Sequence, residues 1–276
     1  MTNSYSKKLT LVLLAFNANL AMAHEGIGAH LDHINEALQK NPDKQSLYIE
    51  RGAIYSSEAG LYEQALKDFS NAEKLGPPIV VAYEFGLLFF RMNQFEKAIS
   101  YFDTYIKRFP EYAPPYEYRA KAAYQLGNIE QSLADFNTFF QLEKQANPGS
   151  FITAAGIQAS VKDAKGLDAA IALLDRGIAQ IGLNPQLQYY AIQLELRRNR
   201  PDQAISRLDS IKTLLNESPS WKLDMAELLF KTGETKQALK LLNDSEAQLK
   251  MLKATPARIN LIKEIQTLRH QYDLKR

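Results

Sequence analysis

Three of the four histidines in this 276-residue sequence, His24, His30 and His33, fall within a ten-residue stretch. Imidazoles at that density, with Glu25 and Asp32 beside them, are donors suited to copper or zinc. A three-residue step brings His30 and His33 onto one side of a helix. Cleavage before His24 would add a free α-amine to its imidazole. The competing reading is a polar, partly frayed capping helix that holds no metal, and it is the preferred one. Other chemistry is scarce. The absence of cysteine removes disulfides, thiol nucleophiles, thiolate metal sites and a lipidated cysteine. There is no glycine-rich phosphate loop, no Gly-x-Ser-x-Gly elbow and no His-Glu-x-x-His pair. Carboxylates are plentiful, but no two stand out as an acid and a base. Neither an enzyme nor, apart from the copper or zinc alternative, a cofactor is expected.

The segment ahead of His24 has the three parts of a secretory signal. Met1 to Lys8 is polar and carries Lys7 and Lys8, Leu9 to Phe16 is apolar except for Thr10, and Ala21-Met22-Ala23 supplies an A-x-A cleavage site. A membrane anchor is the alternative, but the apolar run is about half of what a bilayer requires. Lys7 and Lys8 account for the whole excess of 33 Lys+Arg over 31 Asp+Glu, so the chain from His24 is formally neutral. Its longest apolar stretch, Ile79 to Phe90, is interrupted by Glu84 and is too short to span a membrane. A neutral, exported chain does not suit nucleic acid, and the basic turn Arg197-Arg198-Asn199-Arg200 reads as cations at a helix C-terminus. Hydrophobic content of 46% with 23% charged residues excludes disorder.

The elements that must carry any site emerge when the chain is laid against itself. Ala65, Ala98, Ser132, Ala170, Ala204 and Ala238 follow one another at steps of 33, 34, 38, 34 and 34 residues. Four residues after each stands a large apolar one: Phe69, Phe102, Phe136, Leu174, Leu208 and Leu242. Gly52, Gly86 and Ala120 are 34 apart upstream, Tyr55 and Phe89 follow the first two, and Pro77 and Pro110 close the first two units. This pattern resembles the tetratricopeptide repeat, a helix pair in which small residues let the helices approach and large ones fill the holes that remain. The match is fullest over Gln45 to Lys144. The last three units use Leu for the aromatic and lack the early Gly-x-x-Tyr pair.

The resemblance implies an all-α chain: a right-handed α-solenoid of stacked antiparallel helix pairs, a superhelix closed by capping helices. Residues 1–23 are the signal, 24–44 an N-terminal capping helix, 45–146 three repeats, 147–253 three divergent repeats and 254–276 a C-terminal capping helix. Leu31, Ile34, Ala37 and Leu38 face the core from the first cap, and Ile259, Ile262, Ile265 and Leu268 from the last. Gly60, Gly127 and Gly233 fall at the turns inside units. The 38-residue step is assigned to the joint Lys144 to Ser150. Val80 to Tyr83 and Leu87 to Phe90 would suit buried strands, but the 34-residue register decides for helix.

In this family the first helix of each unit lines a concave surface, so the resemblance implies a protein or peptide partner and a non-enzymatic scaffold. Ala82, Gly86 and Phe89 then face the partner helix, and Tyr83, Leu87, Phe90 and Arg91 line the groove with Glu84 at its rim. The same offset in the third unit presents Glu117, Lys121 and Tyr124, with Tyr118 at the edge. Tyr189, Gln193 and Arg197 continue the pattern in the fifth unit. Chaperone-binding members grip a C-terminal carboxylate with Lys, Asn and Arg. Here those places hold Ile49, Ala53, Glu84, Pro114 and Tyr118, which does not support that activity.

Overall fold

The computed structural model describes residues 20–57, 61–161 and 164–273, so residues 1–19 of the expected signal 1–23, and Gly60, lie outside the described residues. Every element among the described residues is a helix. Contacts divide the chain into two units meeting at Leu142 and Glu143.

The N-terminal unit opens with α1 (Leu20–Lys40), whose Ile34 and Leu38 are buried. Three pairs follow: α2 (Gln45–Ser57) with α3 (Tyr62–Leu75), α4 (Ile79–Arg91) with α5 (Phe95–Arg108), and α6 (Pro114–Gln125) with α7 (Ile129–Leu142). Each first helix also packs on the preceding pair. The apolar runs that would suit strands lie within α4.

The C-terminal unit contains α8 (Pro148–Ser160), α9 (Ala164–Ile181), α10 (Pro185–Arg197), α11 (Pro201–Ser210), α12 (Pro219–Lys231), α13 (Thr235–Lys250) and α14 (Pro256–Asp273). Its first helices start sharply. Proline opens α8, α10 and α12, and the residues before them, Asn147, Asn184 and Ser218, accept hydrogen bonds from the first-turn amides. Trp221 donates its indole N–H to the Leu208 carbonyl at 2.9 Å, binding α12 to the end of α11.

The repeat register is decided by burial. All six small residues, from Ala65 to Ala238, and all six large ones, from Phe69 to Leu242, are fully or almost fully buried at the helix crossings. Four first helices end alike. Asn93, Gly127, Asn199 and Gly233 take positive φ, and the residue after each donates its N–H to the carbonyl five residues back. Asparagine enters that conformation more readily than other residues with a side chain, so two of these turns carry no glycine.

Two expectations are corrected. The four extra residues of the 38-residue step do not lie in Lys144 to Ser150. Pro114 and Pro148 remain 34 apart, whereas α9 begins one turn earlier relative to Ala170 than the other second helices do relative to their small residues. The extension is an additional helical turn inside the fourth pair. On α14, Ile259 is 45% exposed and falls outside the stripe, whereas Ile265 is buried and Ile262 and Leu268, joined by Leu261 and Tyr272, pack partly buried against the core. Tyr272 stacks on Phe230 with ring centroids 3.9 Å apart.

Candidate functional site

The first helices α2, α4 and α6 supply the face on which the groove residues were expected. Gly86 faces Phe102 so closely that a methyl group there would lie 2.5 Å from the ring, which puts the Ala82-Gly86-Phe89 side of α4 against α5. Tyr83, Glu84, Phe90 and Arg91 are thereby turned to a common, partly open face. Leu87 is only 8% exposed and floors this face rather than offering a contact.

Aromatic rings cluster on and beneath this face. Tyr83 lies 5.4 Å from Tyr105, 5.7 Å from Tyr112 and 6.1 Å from Phe102, centroid to centroid. Phe90 meets Tyr118 edge to face at 5.5 Å, and Tyr118 also stacks on Phe102 at 6.1 Å. Phe102 thus supports both tyrosines from below. Tyr112, Tyr124 and Phe109 are the exposed rings, at 43%, 37% and 37%. Tyr105, Phe109 and Tyr112 extend the surface beyond the first helices, onto α5 and the loop after it. The 34-residue offset did not point to these three, because they belong to no first helix.

The polar groups divide into satisfied and unsatisfied ones. Lys121 pairs with Glu117 at 2.8 Å and lies 5.2 Å from the Tyr118 ring centroid. Arg91 donates to Ser56 Oγ at 2.6 Å, reaching back to α2. Glu84 makes no hydrogen bond or ion pair with any described residue. Burial pushes its carboxyl above the usual range, and the nearby charge of Arg91 offsets part of this. Burial raises the Tyr83 and Tyr105 phenols as well, and the charge of Glu84 contributes to both shifts.

The fifth-unit residues are placed on α10 of the C-terminal unit. Tyr189 donates its hydroxyl to Asp224 at 3.0 Å, Arg197 donates to the Ala159 carbonyl at 3.3 Å, and Gln193 is half-buried. Arg197 therefore repeats the backward reach of Arg91.

Sequence reasoning did not single out the arginine clamps. Arg51 donates from Nε and Nη2 to Asp68 at 2.7 Å each and from Nη1 to Asn35 on α1. Arg119 repeats this with Asp135, at 2.8 and 2.6 Å, and reaches Asp103 of the preceding pair. At the same register in the second unit, Phe85 and Tyr101 stack at 4.9 Å in place of the ion pair. Each clamp ties its own helix pair to the element before it, α1 for Arg51 and α5 for Arg119.

The histidines are placed differently. The side chain of His24 lies outside the described residues. His30 is hydrogen-bonded to Glu50 on α2 at 2.8 Å, and among the described residues no three His, Asp or Glu side chains gather as metal ligands. No described helix is long and apolar enough to cross a membrane.

Comparisons with known proteins agree with this geometry. A family model described as tetratricopeptide repeat matches residues 83–143, the second and third pairs of the N-terminal unit. Tetratricopeptide repeat protein 6 from Homo sapiens is 31% identical over 144 residues, covering 50% of this chain and 27% of that protein, so most of that relative's length is unmatched. Among solved structures, the C-terminal part of a TPR repeat-containing protein from Cytophaga hutchinsonii has a TM-score of 0.64 at 12% identity, over 89% of this chain and 98% of that one. YrrB, described as a TPR protein with an unusual peptide-binding site, has a TM-score of 0.50 at 15% identity, over 75% and 96%. At such identities the structural likeness is one of fold.

Proposed function

We propose, from the premise that this chain is a tetratricopeptide-repeat protein, that it works as a non-enzymatic scaffold whose N-terminal unit binds a peptide or a partner helix on the face of α4 and α6. The observation that carries this reading is the set of aromatic rings on this face, Phe109, Tyr105, Tyr112 and Tyr83 on one side and Tyr118 and Phe90 on the other, joined beneath by the buried ring of Phe102, with charged groups set at separate points. Aromatic rings combine large contact area with few rotors to immobilise, which suits recognition of an extended chain or an amphipathic helix. The peptide-binding site described for the structural relative YrrB supports the same use of the fold.

Tyr112 and Tyr124 are the fair probes, because both are exposed and neither holds up the core. A random nonapeptide library displayed against the full chain is expected to enrich binders. Tyr112→Ala with Tyr124→Ala should weaken the leading peptides at least tenfold, an effect of about 1.4 kcal/mol or more. Helicity by circular dichroism should stay unchanged. Equal binding by the double variant would remove this face as the site.

We infer also that the protein is exported, most simply to the periplasm of a Gram-negative cell. The polar, apolar and A-x-A segments ahead of His24 support this reading. Mass spectrometry of the protein from the envelope fraction is expected to find a chain beginning at His24. A cytosolic chain that retains Met1 to Ala23 would refute it.

A further inference from the structure

The carboxylate of Glu84 is the one group on the groove face whose position implies a ligand of defined charge, and its counterpart in the C-terminal unit shows what it lacks. Glu84 stands 14 residues before Ala98, and Asp224 stands 14 residues before Ala238. The two acids occupy the same place on their helices. Asp224 receives the hydroxyl of Tyr189 from the preceding first helix at 3.0 Å. The residue in the corresponding place ahead of Glu84 is Ile49, 34 residues before Tyr83, and isoleucine has no proton to donate. Glu84 is thus an acid at a position where the fold elsewhere supplies a donor and here does not.

The cations nearby do not replace that donor. Arg91 lies on the same face, but its guanidinium is drawn back to Ser56 Oγ, and Lys121 is held by Glu117 at 2.8 Å. Around Glu84 the groove presents the ring of Tyr83, backed by Tyr105 and Tyr112. Rings beside a partly buried carboxylate that lacks a partner suit a cationic side chain with an apolar stem. The charged head makes a charge-assisted hydrogen bond to the acid, while the stem and head lie on aromatic faces.

We propose that Glu84 is the specificity determinant of the groove, and that it receives a lysine or arginine side chain of the bound peptide, seated against Tyr83. This rests on the peptide-binding reading of the same face. It gives the groove a preference opposite to that of the chaperone-binding members, since it selects a cation rather than a carboxylate. The rise of the Glu84 carboxyl is consistent with it, because an anion that is costly to desolvate alone gains most from a cation brought to it.

The test uses the full chain and the displayed random nonapeptides. The pool selected on the wild-type protein should carry Lys or Arg at one fixed position, enriched at least tenfold. Replacing that residue by norleucine in a synthetic lead peptide should weaken binding at least tenfold to the wild type, and much less to Glu84→Gln. Glu84→Lys should select Asp or Glu at the same position, which a merely structural role for Glu84 would not produce. Thermal melts of both variants are expected to match the parent, which checks that they fold. Enriched peptides without a positional cation, or a cation preference unchanged in Glu84→Gln, would overturn the assignment and leave the groove itself standing. Failure to enrich any peptide would count against both.

Discussion

Replacing Arg119 by alanine is expected to destabilise the N-terminal unit by about 3–5 kcal/mol, the usual cost of breaking a buried ion pair from one side. The reason lies with the partner left behind. Asp135 is 4% exposed and accepts two hydrogen bonds from the guanidinium, so its charge would remain in the interior uncompensated. Arg119 also bridges to Asp103 on α5, so its loss loosens the third pair from the second. The second pair supplies the rescue. Phe85 and Tyr101 stand one residue before Gly86 and three after Ala98, the places that Arg119 and Asp135 occupy around Ala120 and Ser132. Arg119→Phe with Asp135→Tyr is therefore expected to recover at least half of the loss, because it removes both charges and installs a stack that this fold already accommodates. Hydrogen exchange at the amides of α6 and α7 reads the opening free energy locally. A loss below about 1 kcal/mol for Arg119→Ala, or a double variant no better than the single one, would show that the clamp is a surface pair of little worth.

These clamps show where sequence reasoning reached and where it stopped. Ala65 with Phe69, Ala98 with Phe102 and their successors were legible because a small residue and a large one four positions later are a local signal, repeated six times. Arg119 and Asp135 are 16 residues apart on different helices, and no helical spacing rule joins them. A signal was nevertheless present: aligned by their small residues, Arg51, Phe85 and Arg119 change in step with Asp68, Tyr101 and Asp135. Asn93 and Asn199 were missed because glycine was taken as the mark of a left-handed turn. The extra turn of α9 was missed because Lys144 to Ser150 has a loop composition whatever its length, while one more turn of an alanine-rich helix leaves the pattern unbroken. That Tyr83, Glu84, Phe90 and Arg91 share a partly open face was legible from a single offset of 34. The chemistry of that face was not, since the burial of Leu87, the spread of the rings to Phe109 and Tyr112, and the partly buried carboxylate of Glu84 are settled by neighbouring helices.

Gly86 and Phe102 join the stability of the repeat to the shape of that face, and the coupling between them has a sign that can be measured. Phe102 is fully buried and lies under both Tyr83 and Tyr118, so Phe102→Ala is expected to cost about 3–5 kcal/mol through the cavity it leaves and to loosen both tyrosines. Gly86→Ala alone sets two effects against each other. A helical alanine gains about 0.5–1 kcal/mol over glycine. The added methyl, however, would sit 2.5 Å from Phe102 Cε1, and overpacking of that kind costs about 1–3 kcal/mol. Tyr83 and Tyr118 hold the ring, so the clash outweighs the gain and the variant is less stable than the parent. In the Phe102→Ala background the obstacle is gone and only the helical gain is left, so the same substitution should stabilise by about 0.5–1 kcal/mol. A double-mutant cycle followed by hydrogen exchange in α4 and α5 tests this reversal. If Gly86→Ala has the same sign in both backgrounds, the glycine is not there to admit the ring, and the small-and-large register would no longer explain why α4 lies close enough to α5 to turn Tyr83 and Glu84 to the open face.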